Sequence, residues 1–391
     1  MTLNKMKRLS LYKLLSFYNL FKIVLLGVNL LFVYKYSVRQ NFIPAGLYML
    51  VFILIFTPIL FMNNFEIKFV DKFNLKKIYK IASVLIALVL FVIIYNIDGN
   101  KLNVDRWSAM DVGIEALLNG NYPYTATDHL NGRTSNFPGL LLIGIPFYLL
   151  GNVGYLQIFT FLLVCYTLYN YLEIIKAIRF MIVLLVSPAY WWEIFAISDL
   201  LSNVIIIFCF IIYVNQNFKN NIYKYPIILG VVSSILVLTR GIIWIPMILF
   251  LFRDFWFLKN LSKMKFFISF SITTLLLILS VIVSCPSYDL LKKYNPLLLQ
   301  TSNLPKYIHI IAILLPFYFS FKINKFEVDF FKFTSILMFV PVLLAFILKF
   351  NRYNFNEIIV DLRFDLSYLT VIFPFMIIYI VDYNKINSLT K

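Results

Sequence analysis

Residues 81–95 read IASVLIALVLFVIIY, and residues 266–283 read FFISFSITTLLLILSVIV. Neither stretch carries a charge, and neither alternates apolar with polar positions. A strand of a membrane barrel does alternate, because one face meets lipid and the other the lumen. A continuous apolar run of this length crosses hydrocarbon as a helix, which satisfies its own backbone polar groups. The rest of the chain has the same character. Of its 391 residues 61% are hydrophobic and 14% charged, whereas soluble domains run near ~45–50% and ~25%. No water-soluble core of this size hides that much apolar surface, so lipid must solvate much of it. The expected fold is an all-α membrane protein with roughly ten to twelve transmembrane helices.

Working outward from the two quoted runs, long spans are expected near 15–36, 43–62, 78–97, 153–172, 266–284, 306–321, 332–348 and 366–382. Shorter apolar stretches lie at 180–192, 200–214, 226–239, 241–252 and 138–150. The N-terminal Lys5, Lys7, Arg8 and Lys13 precede an apolar run with no small-residue cleavage site after it, so the run is read as a retained first span.

The net charge of +17 raises the question of nucleic acid. Loop sidedness answers it. With the N-terminus in the cytoplasm, the loops 63–77, 173–179, 215–225, 253–265 and 322–332 and the C-terminus also fall inside. About 22 of the 35 Lys and Arg then lie inside and about 12 outside, with Lys22 within the first span. The 18 acids divide the other way, about 7 inside and 11 outside. The positive charge is a membrane-topology signal, and no nucleic-acid partner is expected. This sidedness requires 138–172 to cross once, so 138–150 is read as an outer-side or half-membrane helix leading into 153–172. The expected location is a multi-pass protein of the bacterial inner membrane with both termini cytoplasmic.

The short paired stretches turn back below the outer surface. Glu193 and Asp199 sit at one such turn and Arg240, in Thr239-Arg240-Gly241, at the next. Charges at such depth are costly and face each other or a wet cavity. Both readings stay open: a local ion pair, or a cavity lined by both signs of charge. Cys165, Cys209 and Cys285 have no metal-ligand or redox spacing and read as small packing residues, and His129 and His309 are the only histidines. No cofactor is implied. The outer acids are spread out, with no short Asp-x-Asp run, so a divalent metal is possible and not indicated.

The longest polar stretch, 98–138, reads DGNKLNVDRWSAMDVGIEALLNGNYPYTATDHLNGRTSNFP. Trp107, Met110, Ile114, Leu117 and Leu118 recur at helical spacing and form one apolar face. Asp111 and Glu115 fall on another face. Asp105 is placed to cap the helix and Asn119-Gly120 to end it. An amphipathic helix of this kind lies along a membrane surface. Tyr122-Pro123-Tyr124 and Phe137-Pro138-Gly139 are rigid aromatic turns, so this long loop is expected to be ordered and functional.

An outer loop of this form, with Asp105 fifteen residues before Gly120, an aromatic-Pro-Tyr turn, and Pro138-Gly139 opening an apolar helix with Pro146-Phe147, resembles the first outer loop of GT-C glycosyltransferases. The bacterial mannosyltransferase-like and dolichyl-phosphate-mannose-type members are the most similar in pattern. Leu238-Thr239-Arg240 and residues 362–369 share the family look. The resemblance covers about 78–383, and a hairpin at 1–62 precedes the part that matches. Two regions follow: an N-terminal hairpin and cytoplasmic loop, 1–77, and a GT-C-like core, 78–391, with outer catalytic loop 98–138. The resemblance implies a multi-span bundle and a hexose, mannose-like, carried on a polyprenyl phosphate. It also implies transfer at the non-cytoplasmic face with inversion by direct displacement, in cell-envelope glycan or glycolipid synthesis. The loop Asp would be the catalytic base or would orient the acceptor.

Such chemistry needs a carboxylate to take the acceptor's proton and positive charge on the departing phosphate. Asp105 begins a surface helix just after a span and is the candidate carboxylate. Arg240 and Arg363 are the candidate phosphate holders, since a guanidinium offers a planar fork of donors. Each has a plainer reading: helix cap for Asp105, ion pair with Glu193 or Asp199 for Arg240, ion pair with Asp361 or Asp365 for Arg363. Asp111, Tyr124, His129, Arg133, Glu193 and Asp199 are further candidates to line a cavity or touch an acceptor. The expected partners are the lipid-linked sugar donor, a glycan, lipid or protein acceptor, and membrane lipids. Two other functions fit the same sequence, a lipid-linked-sugar flippase and a polysaccharide polymerase.

Overall fold

The computed structural model describes residues 16–40, 42–61, 74–302 and 304–388, the side chains of 383–388 excepted. The N-terminal basic residues, most of the 63–77 loop and Lys391 lie outside the described residues.

The described residues contain no strand, only an isolated bridge between Thr127 and Arg133. In chain order the helices are α1 (Phe17–Arg39), α2 (Ala45–Phe61), α3 (Leu75–Asn96), α4 (Arg106–Leu118), α5 (Pro138–Leu149) and α6 (Tyr155–Tyr171). Then come α7 (Ile174–Val186), α8 (Pro188–Phe195), α9 (Leu200–Phe218), α10 (Pro226–Val237), α11 (Trp244–Trp256) and α12 (Asn260–Ile282). The last six are α13 (Tyr288–Lys293), α14 (Pro296–Thr301), α15 (Lys306–Ser320), α16 (Phe331–Lys349), α17 (Phe355–Ile359) and α18 (Phe373–Ser388). By length and composition five helices among the described residues can cross a membrane: α1, α3, α9, α12, and α16 with the turn before it. The bent pair α7 and α8 makes a sixth. The apolar helices α2, α5, α10, α15 and the segment Leu366–Asp382 are shorter, at 10–17 residues. The all-helical, multi-pass membrane character read from sequence is what the fold shows, with fewer full-length spans than the apolar runs led us to expect. Proline and glycine shorten the remainder: α5 and α10 open on Pro138 and Pro226, and Gly151 ends α5 at φ 92°.

The chain divides into two compact units. The first comprises Met1–Ile81, Leu172–Trp192 and Asn324–Lys391. Here α1 packs on α2 and α18. Ser16 caps α1 by accepting from the Asn19 amide. Lys22, inside this span, lies 3.9 Å from the centre of the Tyr18 ring and 4.5 Å from that of Phe61, which gives a buried ammonium two ring faces. Ser187-Pro188 breaks the α7–α8 run, bent by 66°. Asn29 of α1 covers the break, its Oδ1 accepting from Ser187 Oγ at 2.5 Å and from the Ala189 amide at 3.1 Å. The N-terminal helices thus share a unit with the chain's C-terminal part. Tyr34 donates to Asn356 Oδ1 at 2.5 Å and Arg39 to the Val360 carbonyl at 2.5 Å.

The second unit, Ala82–Tyr171 and Glu193–Ile323, is built on three helix pairs: α6 on α9, α10 on α12 and α11 on α15. Hydrogen bonds between residues far apart in the sequence fasten each unit. In the first, Lys176 donates to Asp382. In the second, Gln216 donates to the Asn170 carbonyl and Arg253 to the Ile323 carbonyl, and near the candidate site Tyr122 donates to the Tyr294 carbonyl and Arg240 to Asn136.

Candidate functional site

The site grows from the docking of two short sequences in the second unit. Phe137-Pro138-Gly139 opens α5, and Leu238-Thr239-Arg240 follows α10. The Phe137 amide donates to the Thr239 carbonyl at 3.2 Å, and the Gly139 amide to the Leu238 carbonyl at 2.8 Å. A Cβ at Gly139 would collide with the Ile235 and Leu238 carbonyls, so this approach requires glycine. The docked turn aims Arg240 inward. Its Nη2 donates to Asp199 Oδ2 at 2.6 Å and to Asn136 Oδ1 at 2.7 Å. Arg240 is 3% exposed and Asp199 4%, so this pair has left water behind and depends on its geometry for compensation.

Asp199 is held by a tight turn. Ile197 has φ 46°, a conformation unfavourable for a β-branched residue. Gln157 Nε2 fastens the turn by donating to the carbonyls of Glu193 at 2.6 Å and Ser198 at 2.9 Å. Glu193, paired with Asp199 in the sequence reading, turns elsewhere: its Oε2 accepts from the Leu201 amide at 3.4 Å. Of the two acids open as partners for Arg240, the structure selects Asp199.

A small polar recess, with room for about one water, lies over this pair. Asp105, Arg106, Arg133, Asn136, Asp199 and Arg240 line it, with Ala109 and Ser135. Three guanidinium groups against two carboxylates leave it net positive. The ion pair does not use up its own members. Arg240 Nε and Asp199 Oδ1 are buried with no hydrogen-bond partner, as is Arg133 Nε. Such groups carry a desolvation cost that a bound polar group would relieve. The guanidinium of Arg133 lies 3.9 Å from the centre of the Tyr294 ring. Gln300 ties two walls together, donating to the Ser135 carbonyl at 2.6 Å and accepting from the Gly241 amide at 2.8 Å.

Asp105 occupies the N-cap position of α4, but its carboxylate caps no amide. The expected capping role is corrected: Asp105 already has helical backbone angles, φ −85° and ψ −3°, whereas a capping side chain needs an extended residue. Asp105 lines the recess instead. The apolar face of α4 does not lie open. Met110 and Ile114 pack on Leu140 and Leu141 of α5 and on Leu156 of α6, while Leu118 stays exposed. Trp107 Nε1 adds a bond to Asn152 Oδ1 at 2.8 Å.

The other candidates hold the loop rather than the recess. His129 Nε2 faces the Leu102 carbonyl at 2.7 Å, so this nitrogen carries a proton, and Nδ1 lies 2.5 Å from Ser108 Oγ. Tyr124 is buried against Tyr122, ring centres 5.3 Å apart, and burial pushes its phenol far above the usual range. Asp111 lies on α4 outside the recess lining. Burial first, and the neighbouring Glu115 second, push its carboxyl up to about 6. Arg363 belongs to the first unit, exposed and 5.5 Å from the centre of the Tyr353 ring. Its ion pair with Asp361 or Asp365 is not formed among the described contacts. Asp105, Arg133, Asp199 and Arg240 are thus the predicted residues that come together. Arg106, Asn136, Gln300 and Tyr294 were not foreseen. Adjacency to Asp105 marks Arg106; nothing in the sequence marks Gln300.

No group of three or more His, Cys, Asp or Glu side chains among the described residues is arranged to hold a metal ion. No protein-family model, curated protein or solved structure matches the chain.

Proposed function

We propose that the chain is a membrane glycosyltransferase of GT-C type, moving a hexose from a polyprenyl-phosphate donor to a glycan, lipid or protein acceptor. The observation that carries this reading is one recess holding Asp105 beside Arg106, Arg133 and Arg240. Asp105 lines a net positive recess in which Arg133 and Arg240 each keep a buried Nε without a partner. The positive-inside bias puts this recess on the non-cytoplasmic side, and the lysine-rich loops and both termini in the cytoplasm. The bacterial inner membrane and a mannose-like sugar follow from the family resemblance. Taking the short apolar helices as crossings brings the bundle to the expected roughly ten to twelve spans, which a locally thinned bilayer accommodates.

In this reading Asp105 takes the proton of an acceptor hydroxyl as its oxygen attacks the anomeric carbon from the face opposite the phosphate. The bond from that carbon to the phosphate oxygen breaks, and its electron pair leaves with the polyprenyl phosphate. Arg240, Arg133 and Arg106 stabilise the charge that develops there. Arg363 is given no part.

The test is transfer from a panel of labelled polyprenyl-phosphate sugars by purified protein, with Asp105→Asn beside it. The expected result is sugar-dependent transfer that Asp105→Asn abolishes while the melting temperature is unchanged. Full activity of Asp105→Asn would remove Asp105 as the base. Donor translocation across vesicles without a new glycosidic bond would replace the enzyme with a flippase, and repeated additions to one product would indicate a polymerase.

A further inference from the structure

Residues 284–302 connect α12 to α15 on the recess side and contain α13 and α14. A connector in water is polar and exposes few large apolar groups. This one exposes three consecutive leucines, Leu297, Leu298 and Leu299, at 54%, 56% and 48%. Three consecutive helical residues sweep about 200° of arc, so no single protein face covers them. Both flanking helices expose apolar side chains too, as at Leu276 and Leu279 of α12 and Ile310 and Leu314 of α15.

Five polar side chains of the segment are turned onto nearby backbone. Ser287 accepts from the Leu290 amide and Asn295 from the Leu297 amide. Ser284, Thr301 and Ser302 donate to the carbonyls of Val281, Leu297 and Leu299. Backbone groups need such internal partners where water is scarce. Beside the leucines stand the exposed Lys292 and Lys293, and Asp289 is the one acid in the segment.

We propose that residues 284–302 insert into the bilayer leaflet on the recess side without crossing it. Leu297–Leu299 lie among acyl chains, and Lys292 and Lys293 bind anionic phospholipid headgroups. The proposal needs the chain to be a membrane protein and does not depend on glycosyl transfer. It has a consequence for the recess. Gln300 and Tyr294 belong to this segment and touch the recess walls, so insertion holds the recess at headgroup level, where a lipid-borne phosphate arrives laterally.

The test places a nitroxide at Leu298→Cys, and separately at Leu297→Cys, in full-length Cys285→Ser protein. The protein sits in nanodiscs of phosphatidylcholine with or without phosphatidylglycerol, and the exposed Lys101→Cys is the aqueous reference. The expected result is that oxygen collides with the Leu298 and Leu297 labels more often than a water-soluble nickel chelate does, the reverse of the reference. Labels that match the reference would overturn insertion. Phosphatidylglycerol retained on the protein, read by native mass spectrometry, should fall roughly fivefold for each of Lys292→Ser and Lys293→Ser. Unchanged retention would overturn the headgroup contact.

Discussion

Arg240 and Arg363 look alike in the sequence, each an arginine near an outer membrane boundary with acids within reach, yet the fold treats them differently. Arg240 is 3% exposed, bonded to Asp199 and Asn136, and its Nε is buried without a partner. Arg363 is exposed and lies against one aromatic ring in the first unit. What separates them is the company of the backbone. The turn at 238–239 is stitched to Phe137 and Gly139 by main-chain bonds, which forces the next side chain inward. Arg363 follows Leu362 at φ 63°, and both side chains stay exposed while the neighbouring Phe364 takes the buried position. A guanidinium becomes part of a site when a packed backbone compels it to leave water.

This contrast is open to measurement. The largest effect is expected from Arg240→Ala, which leaves Asp199 buried and unpaired and should cost roughly 3–5 kcal/mol. Thermal or denaturant unfolding in micelles would show it. The double variant Arg240→Ala, Asp199→Ala should recover part of the loss, and no recovery would mean that the ion pair is not the source. Gly139→Ala comes next. Its Cβ would push the Thr239 turn off α5, with a loss of about 1–3 kcal/mol, and the Arg240–Asp199 coupling measured by the same double variant should shrink. A Gly139→Ala protein with native stability would break the claim that backbone docking aims Arg240.

Asp111 offers a smaller, pH-dependent effect. Its folded value of about 6 lies above its ordinary 3.8, so the native state binds the proton more tightly than the unfolded chain. Stability from this group is therefore complete below about pH 4 and declines as pH rises through about 6. Asp111→Asn should flatten that slope and raise stability near pH 7 by roughly 1 kcal/mol, after allowance for solvent screening. An unchanged pH–stability profile would rule it out. The smallest effect belongs to Arg363→Ala. An exposed arginine over one ring should change stability by about 0.5 kcal/mol or less, and a loss near that of Arg240→Ala would erase the contrast between the two arginines.

Much of the loop 98–138 was legible because its signals are local. Helical spacing marks the α4 face, Asn119-Gly120 ends it, and Pro138 opens α5. The capping role of Asp105 misled because capping depends on the backbone angles of a single residue, which composition does not encode. Glu193 and Asp199 were equal candidates for Arg240, because sequence gives their separation and not which way a strained turn at Ile197 faces them. Gln300 had no signal: its two partners, Ser135 and Gly241, are 165 and 59 residues away.

The sequence by itself determined that this chain is all-helical and multi-pass, and where the long ordered loop 98–138 lies. Those properties follow from apolar run length and turn residues, each a matter of neighbouring positions. Only the tertiary structure decided that Asp105, Arg133, Asp199 and Arg240 surround one recess, that Asp199 is the partner of Arg240, and that Arg363 belongs to the other compact unit. Those outcomes depend on main-chain contacts between segments about a hundred residues apart, and on the cost of burying a charge. The cost is set by surroundings that no local pattern contains.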